Sequence, residues 1–219
     1  MENATEIRIT QKDYKFAIAA GLLIGLLLMP VLKTASPVIF QKFSFAILPF
    51  FLLATPLGLR IAFLIGQKIA IIYQIAKFGI IGVGNVLVDL GVLSLVTMMF
   101  SSYFKIEAAD SMIGAVTFYS LYKSISFIVA NVNSYFWNKH WTFDQGEKKQ
   151  THSEFMQFFA VSIVGFSINV FVASVVFNII IGSLTSMTDG QLGLIGAAAG
   201  SIAGLAWNFI GYKLWVFKK

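Results

Sequence analysis

Six apolar stretches recur along the sequence, at about residues 16–32, 43–59, 78–100, 113–137, 158–181 and 192–214. Each is close to the roughly 20 residues that a helix needs to cross hydrocarbon. No other feature constrains the fold as much. Lipid offers no hydrogen bonds, so a spanning segment must satisfy its backbone N–H and C=O groups internally, which a helix does. A soluble alternative is closed by composition, because 58% of the 219 residues are hydrophobic and 12% are charged, about half the charged fraction of an ordinary soluble domain. The expected fold is all-α: a polytopic membrane protein with about six transmembrane helices.

The first two stretches contain Pro30, Pro49 and Pro56, so kinks are expected there. The segment before residue 16 balances its acids and bases and no small-x-small site follows cleanly, so 16–32 is expected to be a retained helix rather than a signal peptide. Residues 61–77, IAFLIGQKIAIIYQIAK, mix apolar positions with Gln67, Lys68, Gln74 and Lys77, which predicts an interfacial helix leading into the third span. With the N-terminus inside, twelve Lys and Arg fall on the cytoplasmic side (Arg8, Lys12, Lys15, Arg60, Lys68, Lys77, Lys139, Lys148, Lys149, Lys213, Lys218, Lys219) and three opposite (Lys33, Lys42, Lys105). That bias places both termini in the cytoplasm of a multi-pass protein of the cytoplasmic membrane. Basic residues dispersed over short loops suit orientation and lipid headgroups rather than nucleic acid.

The sequence also repeats itself. KFGIIGVGNVLVDLGVLSLV (77–96) aligns with QFFAVSIVGFSINVFVASVV (157–176), pairing Phe78 with Phe158, Asn85 with Gly165 and Asp89 with Asn169. SYFWNKHWTF (134–143) aligns with NFIGYKLWVF (208–217) about 74 residues later, pairing Ser134 with Asn208, Lys139 with Lys213 and Trp141-x-Phe143 with Trp215-x-Phe217. Each half is a helix pair with a basic, aromatic exit, and both halves enter from one side, so the duplication is parallel. Trp rings settle at headgroup depth and Lys reaches phosphates. Neither tendency accounts for Asn138 and Asn208.

Inside the bilayer, Asp89 lies eleven residues from each end of its span, where a carboxylate costs about 2.5–3.5 kcal/mol on insertion scales. Lys123 lies at matching depth on the next antiparallel helix, by counting about 1.5 Å per residue. The two are expected to form an ion pair or to share a polar pocket, serving either helix packing or function. Tyr119, Lys123, Asn131, Ser134 and Asn138 share one broad helical face; Gly82, Asn85 and Asp89 share another, and Ser162, Gly165 and Asn169 a third. Such faces serve either as a polar groove or as interhelical hydrogen bonds. Gly196, Gly200 and Gly204 stand four apart, a spacing that admits close helix approach within the chain or in a homodimer.

F-x-x-x-G…N-x-x-x-D in the third span, N-K-H-W-T-F after the fourth and W-N-F-x-x-x-K-x-W-V-F near residue 217 resemble the GtrA-like family over about residues 77–217. The resemblance implies a four-helix core over 77–219, built from two parallel two-helix repeats. Residues 1–76 add an N-terminal segment, two helices and the interfacial helix. It further implies translocation of polyprenyl-phosphate-linked monosaccharide across the membrane for cell-surface polysaccharide glycosylation. On that reading Asn138, Lys139, Asn208 and Lys213 capture phosphate, Trp141 and Trp215 stack on sugar or set depth, and Asp89, Lys123, Asn85, Asn131 and Asn169 line the passage. Tyr212 replaces the Asn138 of the first half, which sets the second exit apart.

The sequence has no cysteine, only the loop histidines His140 and His152, and no G-x-x-x-x-G-K-[ST] loop. Thiol, Ser-His-acid and ATP-coupled chemistry are therefore not expected, and neither an enzyme nor a cofactor is foreseen. The competing readings are a membrane subunit that docks or stabilises a glycosyltransferase and a small-solute transporter using Asp89 and Lys123. Because no native thiol interferes, single cysteines test the topology. Lys148→Cys should react with an impermeant maleimide only from the cytoplasmic side and Lys105→Cys only from outside; the reverse labelling would overturn the orientation.

Overall fold

The computed structural model describes residues 8–114, 116–145, 152–181 and 189–218; Lys148, Lys149 and Lys219 of the orientation argument lie outside them. Six helices run in order: α1 (Gln11–Ala35), α2 (Pro37–Gly66), α3 (Ala70–Met99), α4 (Phe118–Trp137), α5 (His152–Ile181) and α6 (Asp189–Gly211). Among the described residues, four are long and apolar enough to cross a membrane: α1, α2, α3 with the turn that continues it, and α5. α4 is a shorter helix of 20 residues that carries Lys123 and several Asn. The protein is an all-α polytopic membrane protein.

Two compact units divide the chain, Met1–Asp144 and Gln145–Lys219. Within the first unit α1 and α2 both pack on α3. In the first unit α1 begins with a capping box: Thr10 Oγ1 accepts from the Asp13 N–H at 3.2 Å, and Asp13 Oδ2 accepts from the Thr10 N–H at 2.9 Å. These bonds occupy two of the donors that a helix start leaves orphaned. Ser36 alone separates α1 from α2, whose first residue is Pro37, where its missing N–H does no harm. α2 returns along α1 closely enough that a Cβ on Gly21 would lie 2.3 Å from the Phe51 carbonyl oxygen. Thr55 Oγ1 donates to the Ala17 carbonyl across that contact at 2.8 Å.

Two expectations are corrected. Residues 61–77 form no interfacial helix: 61–66 finish α2, and after a turn at 67–69 residues 70–77 begin α3. Continuing each helix satisfies the backbone groups that an isolated short helix would leave open at its ends. The fourth helix starts at Phe118 rather than 113, because Ser111–Ile113 pairs antiparallel with Val116–Thr117 around Gly114 at φ +58°. The Asp110 and Ala108 carbonyls then accept the first α4 N–H groups, from Phe118 and Tyr119, at 3.0 and 2.9 Å.

The second unit is the α5–α6 hairpin. A Cβ on Gly200 would lie 2.3 Å from the Asn169 carbonyl oxygen, and one on Gly204 2.8 Å from that of Gly165. This part of the small-residue stripe is thus spent on packing within the chain. Gly200→Val should force α5 and α6 apart, at about 1–3 kcal/mol for an overpacked contact. A clearly lower unfolding temperature in detergent is expected; an unchanged one would refute the contact.

Candidate functional site

The α3–α4 seam of the first unit carries two polar steps. At the first, Lys123 Nζ forms an ion pair with Asp89 Oδ2. Ser126 Oγ, on a fully buried side chain, donates to Asp89 Oδ1 at 2.6 Å. Both carboxylate oxygens are therefore matched, which a carboxylate inside a membrane helix requires. Side-chain exposure is 21% for Asp89 and 40% for Lys123, so the Lys123 side chain is only partly covered. The second step is a relay: Trp137 Nε1 donates to Asn133 Oδ1 at 3.1 Å, and Asn133 Nδ2 donates to Asn85 Oδ1 at 3.3 Å. Asn133 and Trp137 also line a small cleft with Ala20, Leu23, Ile80, Ile81 and Gly84.

Beyond Trp137 the chain continues as a five-residue π-helical turn, Asn138–Thr142, closed by Phe143 N–H donating to the Asn138 carbonyl at 2.9 Å. The widened turn, a form frequent at functional sites, folds the exit back onto α1 and α3. Trp141 is 2% exposed and donates from Nε1 to Asp13 Oδ1 at 3.1 Å. Asp13 also holds Lys77 in a buried ion pair, and Lys77 Nζ sits 4.4 Å above the Tyr73 ring. Lys139 is fully buried, with Nζ 3.4 Å from the Tyr135 hydroxyl. Asn138 is fully buried too and donates from Nδ2 to the Ser134 carbonyl at 2.9 Å. Its Oδ1 and the Thr142 hydroxyl have no hydrogen-bond partner among the described residues.

In the second unit Tyr212–Val216 forms a matching π turn, closed by Phe217 N–H on the Tyr212 carbonyl at 2.8 Å. Tyr212 takes a different task from Asn138: it stacks on Phe158 with centroids 4.1 Å apart and shares a 2.7 Å hydrogen bond with Ser162. Lys213 is exposed, 5.8 Å above the Phe209 ring. Trp215 is 52% exposed and meets Trp207 edge-on at 5.4 Å. Asn208 fits against Gly165, its Oδ1 buried without a partner among the described residues. Asn169 lies against Gly200 and Gly204.

Of the residues singled out from sequence, Asp89, Lys123 and Asn85 meet on the seam, and the anticipated ion pair is present. Asn131 does not join them: its Nδ2 turns back to the Phe127 carbonyl on its own helix at 2.9 Å. The π turn buries Trp141 and Lys139 within the first unit, whereas Lys213 and Trp215 stay exposed. Sequence reasoning missed Ser126, Asn133 and Trp137 on the seam, and it read Lys77 only as a polar residue of an interfacial helix and a cytoplasmic charge. A readable signal existed for Asp13, since T-x-x-D at 10–13 is a capping-box pattern. None existed for Asn133, which lies about 200° around the helix from Asn131 at 100° per residue.

The family described as GtrA/DPMS, transmembrane domain, matches residues 77–217. The uncharacterized membrane protein YngA of Bacillus subtilis (strain 168) is 30% identical over 146 residues, which cover 67% of this chain and 80% of that protein. No solved structure matches.

Truncating one member of an ion pair strands the other, whereas replacing both with neutral groups removes that penalty. Lys123→Met should therefore lower the unfolding temperature in detergent. The double variant Asp89→Asn, Lys123→Met should recover most of the loss, and a double variant less stable than the single one would contradict the pairing.

Proposed function

We propose that this chain, which belongs to the GtrA/DPMS transmembrane-domain family, passes the head group of a polyprenyl-phosphate-linked monosaccharide across the cytoplasmic membrane, where it serves cell-surface glycosylation. The Asp89–Lys123–Ser126 step carries this reading. A sugar phosphate cannot enter hydrocarbon bare, while its polyprenyl tail can stay there, so what the lipid needs is a polar seam open to one side. Lys123 supplies an ammonium with three N–H donors, one of them directed at Asp89. Asp89 and Ser126 fix its position, and the remaining donors are suited to phosphate oxygens. The Asn85–Asn133–Trp137 relay continues the polar path along the same two helices.

Both termini are cytoplasmic on this reading, by the distribution of Lys and Arg. The chain acts without catalysis or a cofactor, and transfer runs down a gradient maintained by enzymes that consume the lipid-linked sugar on the far side. The exposed Lys213 and Trp215 of the second unit suit the headgroup layer, where an ammonium meets phosphates and an indole sets depth. A membrane glycosyltransferase and a second copy of the chain are the protein partners this reading proposes.

The test is reconstitution in liposomes holding a polyprenyl-phosphate sugar, with head-group sidedness followed over time. The intact chain should equilibrate the two leaflets, and the stable double variant Asp89→Asn, Lys123→Met should slow this at least about tenfold, a loss of roughly 1.4 kcal/mol in the barrier. Equal rates for the two proteins would sink the reading and leave a docking subunit as the better description.

A further inference from the structure

The segment that receives and the segment that fills are different parts of this chain. Lys77, Trp137 and Trp141 belong to the family-matched stretch 77–217; Asp13 and Phe16, which occupy the space among them, come from α1 outside it. The chemistry of the contact is specific. A carboxylate lies against a buried ammonium and accepts from the Trp141 indole at 3.1 Å. One turn on, the Phe16 ring stacks on Trp141 at 5.7 Å and 13° and meets Trp137 edge-on at 5.6 Å and 75°.

An anion beside an ammonium and an indole N–H, joined to a ring lying flat on a second face of the same indole, is also how a phosphorylated sugar would be held. The phosphate would take the Asp13 position, and the C–H face of a pyranose would take the Phe16 position. We infer that the first turns of α1 are an internal occupant of a head-group site formed by Lys77, Trp137 and Trp141, with Asp13 standing in for phosphate and Phe16 for the sugar ring. This inference rests on the translocation reading for the identity of its ligand.

Two observations favour an occupant over a mere anchor. A buried ion pair is in general no more stabilising than well-packed apolar side chains of the same volume, so holding α1 in place does not call for one. With α1 in place the Lys77 side chain is 12% exposed, and the anion that matches it comes from α1. In addition, the π turn that carries Trp141 holds the unmatched Asn138 Oδ1 and Thr142 hydroxyl, polar atoms for which a sugar would bring hydroxyl partners. The Lys12–Asp144 ion pair at 2.5 Å sits at the exposed edge of this contact and adds only a weak surface tie, as a releasable segment needs.

An occupant lowers apparent affinity by the fraction of time it fills the site, so weakening it must tighten ligand binding. The full chain carrying Trp207→Phe and Trp215→Phe reports on Trp137 and Trp141 alone by fluorescence. It would be titrated in detergent with a short-chain isoprenyl-phosphate hexose, with the soluble hexose 1-phosphate, and with the isoprenyl phosphate lacking sugar. Phe16→Ala and the isosteric Asp13→Asn should each tighten binding of the isoprenyl-phosphate hexose by roughly tenfold, with larger quenching of both indoles. Binding of hexose 1-phosphate with the same gain would assign the site to free sugar phosphates. Equal gain for the sugarless lipid would overturn the role given to Phe16. An anchor would instead lower thermal stability in both variants and leave affinity unchanged or absent, which overturns the inference. Liposome transfer that persists beside unchanged affinity would defeat this inference alone, while tightened binding without transfer would defeat only the translocation reading.

Discussion

A bilayer supplies no hydrogen bonds, and the polar side chains of the α3–α4 seam answer that constraint. Asp89 is tolerated because both its oxygens are met, one by Lys123 and one by Ser126. Asn131 turns to its own backbone. Asn85 is met by Asn133, which is in turn met by Trp137. The same constraint governs the backbone: the long α2 and α3 absorb residues 61–66 and 70–77 instead of leaving a separate helix with open ends.

The duplicated halves use one scaffold for two chemistries. Adding the repeat offsets to Asp89 and Ser126 arrives at Asn169 and Gly200, and these two are also in contact, in the second unit. The geometry was kept while the chemistry changed, with an ion pair and a hydroxyl in the first half against an amide and a glycine in the second. Close packing of α5 on α6 follows from that glycine, since no side chain holds the backbones apart. The intramembrane charge that can meet an anion therefore belongs to the α3–α4 seam.

The exits diverge in the same way. Both Trp-x-Phe phrases close in a π turn over equivalent positions. In the first, Lys139 and Trp141 are buried against the rest of their unit; in the second, Lys213 and Trp215 are exposed. The difference comes from α1, whose Asp13 and Phe16 engage Trp141. A feature that looked like two copies of one interfacial anchor is one buried node and one exposed pair.

Much of this was legible beforehand. Apolar length alone pointed to six helices, of which four among the described residues are long and apolar enough to cross a membrane, because the hydrocarbon thickness sets how many residues a span needs. The echo of aromatic and basic residues identified the repeat and its family. Counting residues from the span ends brought Asp89 level with Lys123, because helical rise converts sequence into depth. What tertiary structure decided was rotation and register: that Asn133 rather than Asn131 faces α3, that Ser126 completes the carboxylate, that 111–117 turns as a hairpin before α4, and that α1 covers one exit. Periodicity tells which side chains share a face of one helix, but the neighbour each face turns toward is set by packing among elements far apart in the chain. Only the folded arrangement of those elements contains that information.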